Sequence, residues 1–519
     1  MKKRILIAIL IVAVLLVAAC SNNTANTNKS TNNNNVGEVA DSNGNTDRFK
    51  EKKEIEIMAW WPVHLDPDDA VIKAINEKFN VELKITLADW GPHQDNIATR
   101  VASGDYPNYL LMPWYWVGSL GQQYSALIED GLAVNISEYV EELGLANIEQ
   151  QLREAEESGV KSIYADSQGD YYSIPRHDGY PNGGLYIRKD WLTQLNLSAP
   201  KNMDELESVL EAFVKSDPDG KGTVGLTSDG FNSFEQIIAT FTGINPTGWF
   251  QKDGVWTHKV LEPAFKDAIV YLHRLYDKGL IDKEFPYLQI ANAREKFTNG
   301  RAGLIMFNAN GIDFTDLTQV PLQAYKATAE ADLVLPFPAG PAGNIRTTNN
   351  PYGSTGILFD TGDKELNNRM LTILDWLLSE EGTDLSLNGV EGIHHTKNDG
   401  KIVYNEEAWQ KDFYGIEHHF IRHLIYPGVA KEKSPRVLPV LRQNYEEIIA
   451  NGIFPEVIGL NTENTAIKSP VMEEIYTKWM VNFIVGDAEI EKDWNTFLNE
   501  WKAAGYDDLV KDVTEYMSK

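Results

Sequence analysis

Hydrophobic and polar positions divide the chain into three regimes. Lys2, Lys3 and Arg4 precede an unbroken apolar run from Ile5 to Ala19, a polar stretch fills Ser21 to Asp47, and periodic patterns begin near Arg48. Ile55, Ile57 and Ala59 alternate as on a strand, and Val71, Ile72, Ile75 and Phe79 recur at helical spacing between Pro67 and Phe79. Val81, Leu83, Ile85 and Leu87 alternate again. A second helical stretch with Ile97, Ala98 and Val101 leads through Gly104 and Pro107 to the apolar run Tyr109 to Met112. The order predicts β-α-β-α-β and hence a parallel sheet.

Later segments repeat both periods. Tyr172 to Pro175 reads as a hairpin or strand, and Leu185 to Leu192 as a strand running into a helix. Met203 to Val214 is an amphipathic helix with Leu206, Val209, Leu210 and Phe213 inward. Phe297 to Ile305 ends a helix on Gly300 and opens a buried strand, and Asp332 to Pro338 is a further apolar strand. Lys364 to Ser379 is a helix with Leu366, Met370, Ile373, Leu374 and Leu377 inward. No repeat is visible.

The first run has the anatomy of a secretory signal: a basic start, a short apolar core and small residues before a cleavage point. It is also shorter than the roughly 20 residues a membrane span needs. It ends at Cys20, the single cysteine, and Val17-Ala18-Ala19-Cys20 resembles the lipobox of bacterial lipoproteins. That resemblance implies residues 1–19 as the signal peptide, lipidation of Cys20, and attachment to the cell membrane on its extracytoplasmic face. Ten Asn among the 27 residues from Ser21 to Asp47 leave almost nothing to bury, so residues 20–47 are expected as a disordered tether.

With Cys20 used for lipid, no disulfide remains, and the roughly 470 residues beyond the tether must rely on their cores, predicting two or more lobes. The formal net charge of −28 deepens by three to −31 once Lys2, Lys3 and Arg4 leave. So acidic a chain argues against nucleic acid or anionic lipid as a partner, since both require clustered Lys and Arg.

The strand ends carry the candidate site. Trp60 and Trp61 follow the first strand, Asp89 and Trp90 the second, and Trp114, Tyr115 and Trp116 the third. Open α/β sheets bind ligands outside the carboxyl ends of their strands. Any one ring can equally serve as a plug over the sheet.

Three elements, in order after a lipobox, are similar to those of the large solute-binding lipoproteins of bacterial ABC importers. They are Tyr172-x-Ile174-Pro175, Leu185-Tyr186-x-Arg188-Lys189-Asp190-Trp191-Leu192, and Phe297-x-x-Gly300-Arg301-Ala302-Gly303-Leu304. The chain resembles most the long oligosaccharide-binding group that includes the alginate-binding proteins. The resemblance implies an α/β, two-lobed periplasmic-binding-protein-like fold with several crossing segments and an interlobe ligand cleft. Mapped onto this chain, the first lobe spans 48–175 plus 350–394 and the second 176–349 plus 395–519. The expected function is capture of a carbohydrate, an oligosaccharide on chain length, and its delivery to an ABC permease by lobe closure. A single copy is expected, without catalysis.

The ligand-binding candidates are Trp60, Trp61, Asp89, Trp114 and Trp116 from the first lobe, Arg176, Asp178, Tyr180, Trp249 and Trp256 from the second, and Tyr352 and Glu391 near crossings. Flat aromatic faces suit the apolar face of a pyranose while polar groups take its hydroxyls, and the chain has 13 Trp and 22 Tyr.

Asp217-Pro218-Asp219-Gly220-Lys221-Gly222-Thr223 matches the opening of a calcium loop, which places Asp217, Asp219 and Thr223 as candidate ligands and structural calcium as the one cofactor to test. Lys221 puts an ammonium where an oxygen is wanted and no later carboxylate follows, which favours a tight polar turn instead. His419 and His423 stand at i, i+4, but no HExxH is present because Glu417 precedes both. His394 and His395 follow Gly389-Val390-Glu391-Gly392-Ile393, a turn expected at the last crossing. Gly-x-Ser-x-Gly and Walker-type loops are absent. A secreted glycoside hydrolase is the alternative from another class, because aromatic platforms and carboxylates serve cleavage as well as binding. Peptide binding and an adhesin role stay open.

Overall fold

The computed structural model describes residues 49–518 apart from 61–64, 67, 89–95, 98, 102, 112–126, 159–160, 167, 178–182, 309–330, 349–351, 355, 400, 414–417, 425–438 and 461. Cys20 and the tether therefore lie outside the described residues. Among the described residues, no helix is long and apolar enough to cross a membrane.

Strand β1 (Lys53–Trp60) leads to helix α1 (Ala70–Phe79), β2 (Val81–Ala88) and β3 (Tyr109–Leu110). The period of α1 buries Val71, Ile72, Ile75 and Phe79, each worth roughly 2 kcal/mol. Asp69 caps its start by accepting the N–H groups of Val71 and Ile72, and Asn80 ends it in the left-handed region at φ 48°. Both β2 and β3 pair parallel to β1, with Trp60 opposite Ala88 and Met58 opposite Leu110. A strand from far along the chain, Ile357–Leu358, closes the sheet antiparallel to β3, so the sheet is mixed.

The helix Lys364–Leu378 covers this sheet with Leu366, Met370, Ile373, Leu374 and Leu377. Its buried Arg369 donates to the carbonyls of Glu51 (2.6 Å) and Asn80 (2.9 Å) and lies over Phe49, tying the helix to the residues just before β1 and β2.

A second mixed sheet has the strand order Ala331–Leu333, Gly183–Arg188, Ala302–Asn308, Val224–Thr227, and only the last pair is parallel. The helix Met203–Ser216 packs on it through Leu206, Val209, Leu210 and Phe213, and the C-terminal helices contribute Met480, Phe483, Trp494, Phe497 and Trp501 to the same core. Asp332 to Pro338 is strand only to Leu333, with the Val334 N–H still donating to the Leu185 carbonyl at 2.8 Å.

Among the described residues two large apolar clusters result, with a small third one of Tyr186, Ala293, Phe297, Ala302 and Ile305 on the second sheet. The first draws on residues between Phe49 and Ile174 and between Ile357 and Leu424, the second on residues between Leu185 and Phe337 and between Met472 and Leu509. Between them runs an antiparallel ribbon of Pro175–His177 and Tyr352–Ser354. The last boundary expected, at 394–395, is displaced. Trp409, Phe413, Phe420, Ile421 and Leu424 all pack in the first cluster, so the chain stays with that lobe at least to Leu424.

Candidate functional site

Parallel pairing in the first sheet sends β1, β2 and β3 to a common edge, where Trp60 stands opposite Ala88. The segments containing Trp61, Asp89, Trp114 and Trp116 leave from that edge, and those four residues lie outside the described residues, as does the ring of Trp60. The crossing ribbon sets the backbone of Arg176 opposite Gly353 and that of His177 opposite Tyr352, which brings Arg176 and Tyr352 onto adjacent strands. Asp178 and Tyr180, which follow directly, lie outside the described residues.

The remaining candidates sit elsewhere. Trp256 is buried in the hairpin Trp249–Lys252/Val255–His258 and offers no face to a ligand. That placement corrects the expectation for Trp256. Trp249 is half-buried in the second lobe, with its ring parallel to Tyr506 at 6.2 Å and edge-on to His258 at 5.3 Å. The C-terminal helices make this aromatic group a packing feature. Glu391 is exposed and lies 3.8 Å from the Lys397 ammonium, at the base of the hairpin His395–Asn398/Lys401–Tyr404.

Beneath the start of α1, on the edge the strands share, two buried histidine–carboxylate pairs meet. His418 Nε2 lies 2.8 Å from Asp69 Oδ2, and His394 Nε2 lies 3.0 Å from Asp412 Oδ2. Asp412 also accepts the Ala70 N–H at 2.9 Å, so two carboxylates cap one helix. Burial works to raise the Asp69 carboxyl, but the charge and hydrogen bond of His418, with the N–H groups of Ile72 and Val71, hold it below its ordinary value. Burial lowers the pKa of His394, opposed in part by Asp412. Phe413 stands edge-on to both imidazoles. Sequence reasoning assigned His394 to a hinge and overlooked Asp69 and Asp412. A carboxylate immediately before the periodic run of α1 was the available signal, as an N-cap.

On the second lobe, side chains grip the strand that enters the ribbon. Gln236 Nε2 donates to the Ile345 carbonyl (2.8 Å), while its Oε1 accepts from the Thr347 N–H (2.9 Å) and hydroxyl (2.7 Å). Asn245 donates to the carbonyls of Thr348 and Ile453, both at 2.8 Å. The fully buried Arg346 donates to Asn444, and burial pushes it down to about 10, countered by Glu447. Nothing in a single sequence marks these partners, which lie about a hundred residues from the strand they hold.

The Asp217 loop follows the helix Met203–Ser216, with Asp217 itself at φ 42°. Its carboxylate accepts from the N–H groups of Lys221 (3.2 Å), Gly222 (3.1 Å) and Thr223 (3.0 Å), and from the Thr223 hydroxyl (2.7 Å). The Thr223 hydroxyl, with burial opposing and the N–H groups assisting, holds that carboxyl below its usual range. Asp219 lies 3.3 Å from Arg188 Nη2, and the Lys221 ammonium donates to the Asn299 carbonyl at 3.0 Å. Calcium needs six to eight oxygens turned toward one point. Here Thr223 spends its hydroxyl as a donor, Asp219 faces a guanidinium and the fifth position carries a cation, so the donor set does not suit the ion. Among the described residues no group of three or more His, Cys, Asp or Glu is arranged to hold a metal.

Comparison with known proteins places this architecture. The profile described as bacterial extracellular solute-binding protein matches residues 61–384. The polygalacturonan/rhamnogalacturonan-binding protein YtcQ of Bacillus subtilis is 25% identical over 463 residues, covering 86% of this chain and 88% of the relative. Lipoprotein LipO of the same organism is 24% identical over 485 residues, covering 89% and 92%. The solved alginate-binding protein AlgQ2 without calcium ion aligns with a TM-score of 0.68 at 20% identity, over 90% of this chain and 98% of that one. The two lobes, their mixed sheets and the ribbon between them thus have a counterpart along nearly the whole body, and the chain belongs to the bacterial extracellular solute-binding proteins.

Proposed function

We propose that this protein is a lipid-anchored receptor that captures an oligosaccharide outside the cytoplasmic membrane and passes it to an ABC permease. The observation that carries the carbohydrate reading is the common edge of β1, β2 and β3, from which Trp60-Trp61, Asp89-Trp90 and the Trp114 to Trp116 segment depart. Indole faces leaving one edge of a solute-binding lobe suit the apolar face of a sugar ring. The names of relatives support the same class: YtcQ binds polygalacturonan and rhamnogalacturonan, and AlgQ2 binds alginate.

Contacts to both lobes exist only when the lobes close, so ligand shifts the population toward the closed state. The receptor binds without chemistry, works as one copy, and is held through a lipid on Cys20; similarity to a lipoprotein supports the anchor. A thermal-shift screen against oligogalacturonides, fructo-oligosaccharides and alginate oligomers tests the proposal. A ligand at a hundredfold excess over Kd stabilises by about 2.7 kcal/mol, and the gain must grow with concentration. Chromatography of the incubated sugar separates capture from hydrolysis: a receptor returns it at full length, a hydrolase returns it shortened.

A further inference from the structure

We propose that the Asp217–Thr223 loop is fastened by cations of the chain itself, Lys221 and Arg188, where its sequence suggests a calcium ion. The loop has three neighbours to hold: the helix that precedes it, the end of the strand Gly183–Arg188, and the Asn299–Gly300 turn before the strand Ala302–Asn308. A divalent ion in its centre would draw the loop's oxygens together. In this chain the task is divided between two fixed positive groups.

Arg188 is almost wholly buried. It makes a paired contact with Asp190, Nε to Oδ1 at 2.8 Å and Nη2 to Oδ2 at 2.6 Å, and reaches Asp219 Oδ2 at 3.3 Å. That planar geometry clamps one side of the loop to the strand end. Its guanidinium lies 4.5 Å from the centre of the Trp191 ring, so its position is also set by the core. On the other side, Lys221 extends to the Asn299 carbonyl and bonds loop to turn. The Asp217 carboxylate then closes the loop by accepting from the N–H groups of Lys221, Gly222 and Thr223 and from the Thr223 hydroxyl.

Gly300 shows that this arrangement is built into the chain. Its φ is +68°, and a Cβ there would lie 2.0 Å from Asp219 Oδ2 and 3.2 Å from Arg188 Nη1. The carboxylate occupies the space that only glycine leaves. The Gly300 of the Phe297 element and the Asp219 of the loop are thus two halves of one contact.

The test uses hydrogen–deuterium exchange and thermal denaturation of the full chain, in calcium chloride and in EGTA, with Lys221→Met and Lys221→Arg. The wild type is expected to melt at the same temperature in both media. The amides of Lys221, Gly222 and Thr223 should exchange roughly five- to tenfold faster in Lys221→Met, again in both media. Lys221→Arg, which keeps a cation, should restore the slow exchange. The proposal is overturned if calcium raises the wild-type melting temperature or slows exchange in the loop. It is equally overturned if Lys221→Met exchanges as the wild type does.

Discussion

His418 Nε2 lies 2.8 Å from Asp69 Oδ2 across 349 residues of sequence, and both side chains are buried. The same carboxylate caps α1 through Val71 and Ile72, while Nδ1 of His418 accepts the Ile421 N–H at 3.5 Å. One carboxylate therefore holds the start of an early helix and a late segment of the same lobe. Asp69→Ala should cost about 3 kcal/mol, roughly 1 for the cap and the rest for an imidazole left buried beside no partner. Asp69→Asn keeps an acceptor for the helix and should cost less. Urea denaturation of the two variants separates capping from pairing.

Two buried histidines contribute to the acid sensitivity expected of the fold. Burial, assisted by the neighbouring Lys259 charge, lowers His258 to about 3, and burial also lowers His394. For both, the unfolded chain takes up a proton at a pH where the folded chain does not, so stability rises with pH through that window. Their contribution is complete above about 6.5 and is lost as pH falls, for His258 down to about 3. Asp69 is depressed as well, and its contribution persists until pH drops below the ordinary carboxylate range near 3.8. Urea midpoints should therefore decline from about pH 6.5 downward, with a slope of up to about 1.4 kcal/mol per pH unit for each proton. His258→Asn retains an acceptor for the Val260 N–H, so it should lower stability at neutral pH while flattening that slope.

Two tryptophans of equal appearance in the sequence should behave oppositely. Trp256 is buried in the second lobe, so Trp256→Ala should cost about 3–5 kcal/mol and leave the affinity of the folded fraction unchanged. Trp116, beyond the end of β3, is expected at the ligand. Trp116→Ala should leave the melting temperature in place and weaken an oligosaccharide by about tenfold, or roughly 1.4 kcal/mol. Calorimetric titration beside thermal denaturation distinguishes the two, and a Trp116→Ala variant with normal affinity removes the strand-edge site.

Trp256 and Trp116 also mark how far sequence reasoning reached. Local periods located β1, α1 and β2 to within a few residues, because alternation and helical spacing report one buried face each. The helices at Met203 and Lys364 follow for the same reason. Ile357–Leu358 as the partner of β3 was not legible, since pairing over such a distance leaves no local pattern. Strand ends stay an expectation for the site, whereas Trp256 lies buried on the strand Val255–His258, against which the helix Tyr506–Met517 packs from far along the chain, and no local pattern reports that. The last crossing was set too early because Gly389 to His395 looks like a hinge turn. Its glycine in fact makes room for a buried histidine.

Gly389 ends the helix Glu380–Asn388 at φ +72° and ψ −163°, a conformation open essentially to glycine alone. A Cβ at that position would lie 2.5 Å from His394 Nδ1 and 2.6 Å from its Cγ. The ring is held there by the Val390 N–H at 2.9 Å on one nitrogen and by Asp412 at 3.0 Å on the other, and Asp412 in turn holds Ala70. Gly389→Ala therefore meets two obstacles, a strained backbone worth about 1–3 kcal/mol and a displaced imidazole whose loss loosens the Asp412 contact with Ala70, one of the two caps of α1. Removing the ring relieves the second obstacle but not the first. In a double-mutant cycle, His394→Ala alone should destabilise, Gly389→Ala alone should destabilise by about 3 kcal/mol or more, and the pair should cost less than the two together by about 1–2 kcal/mol. Additive losses measured by urea denaturation would mean that Gly389 and His394 act independently, and the close approach of Gly389 to the ring would then carry no energetic weight.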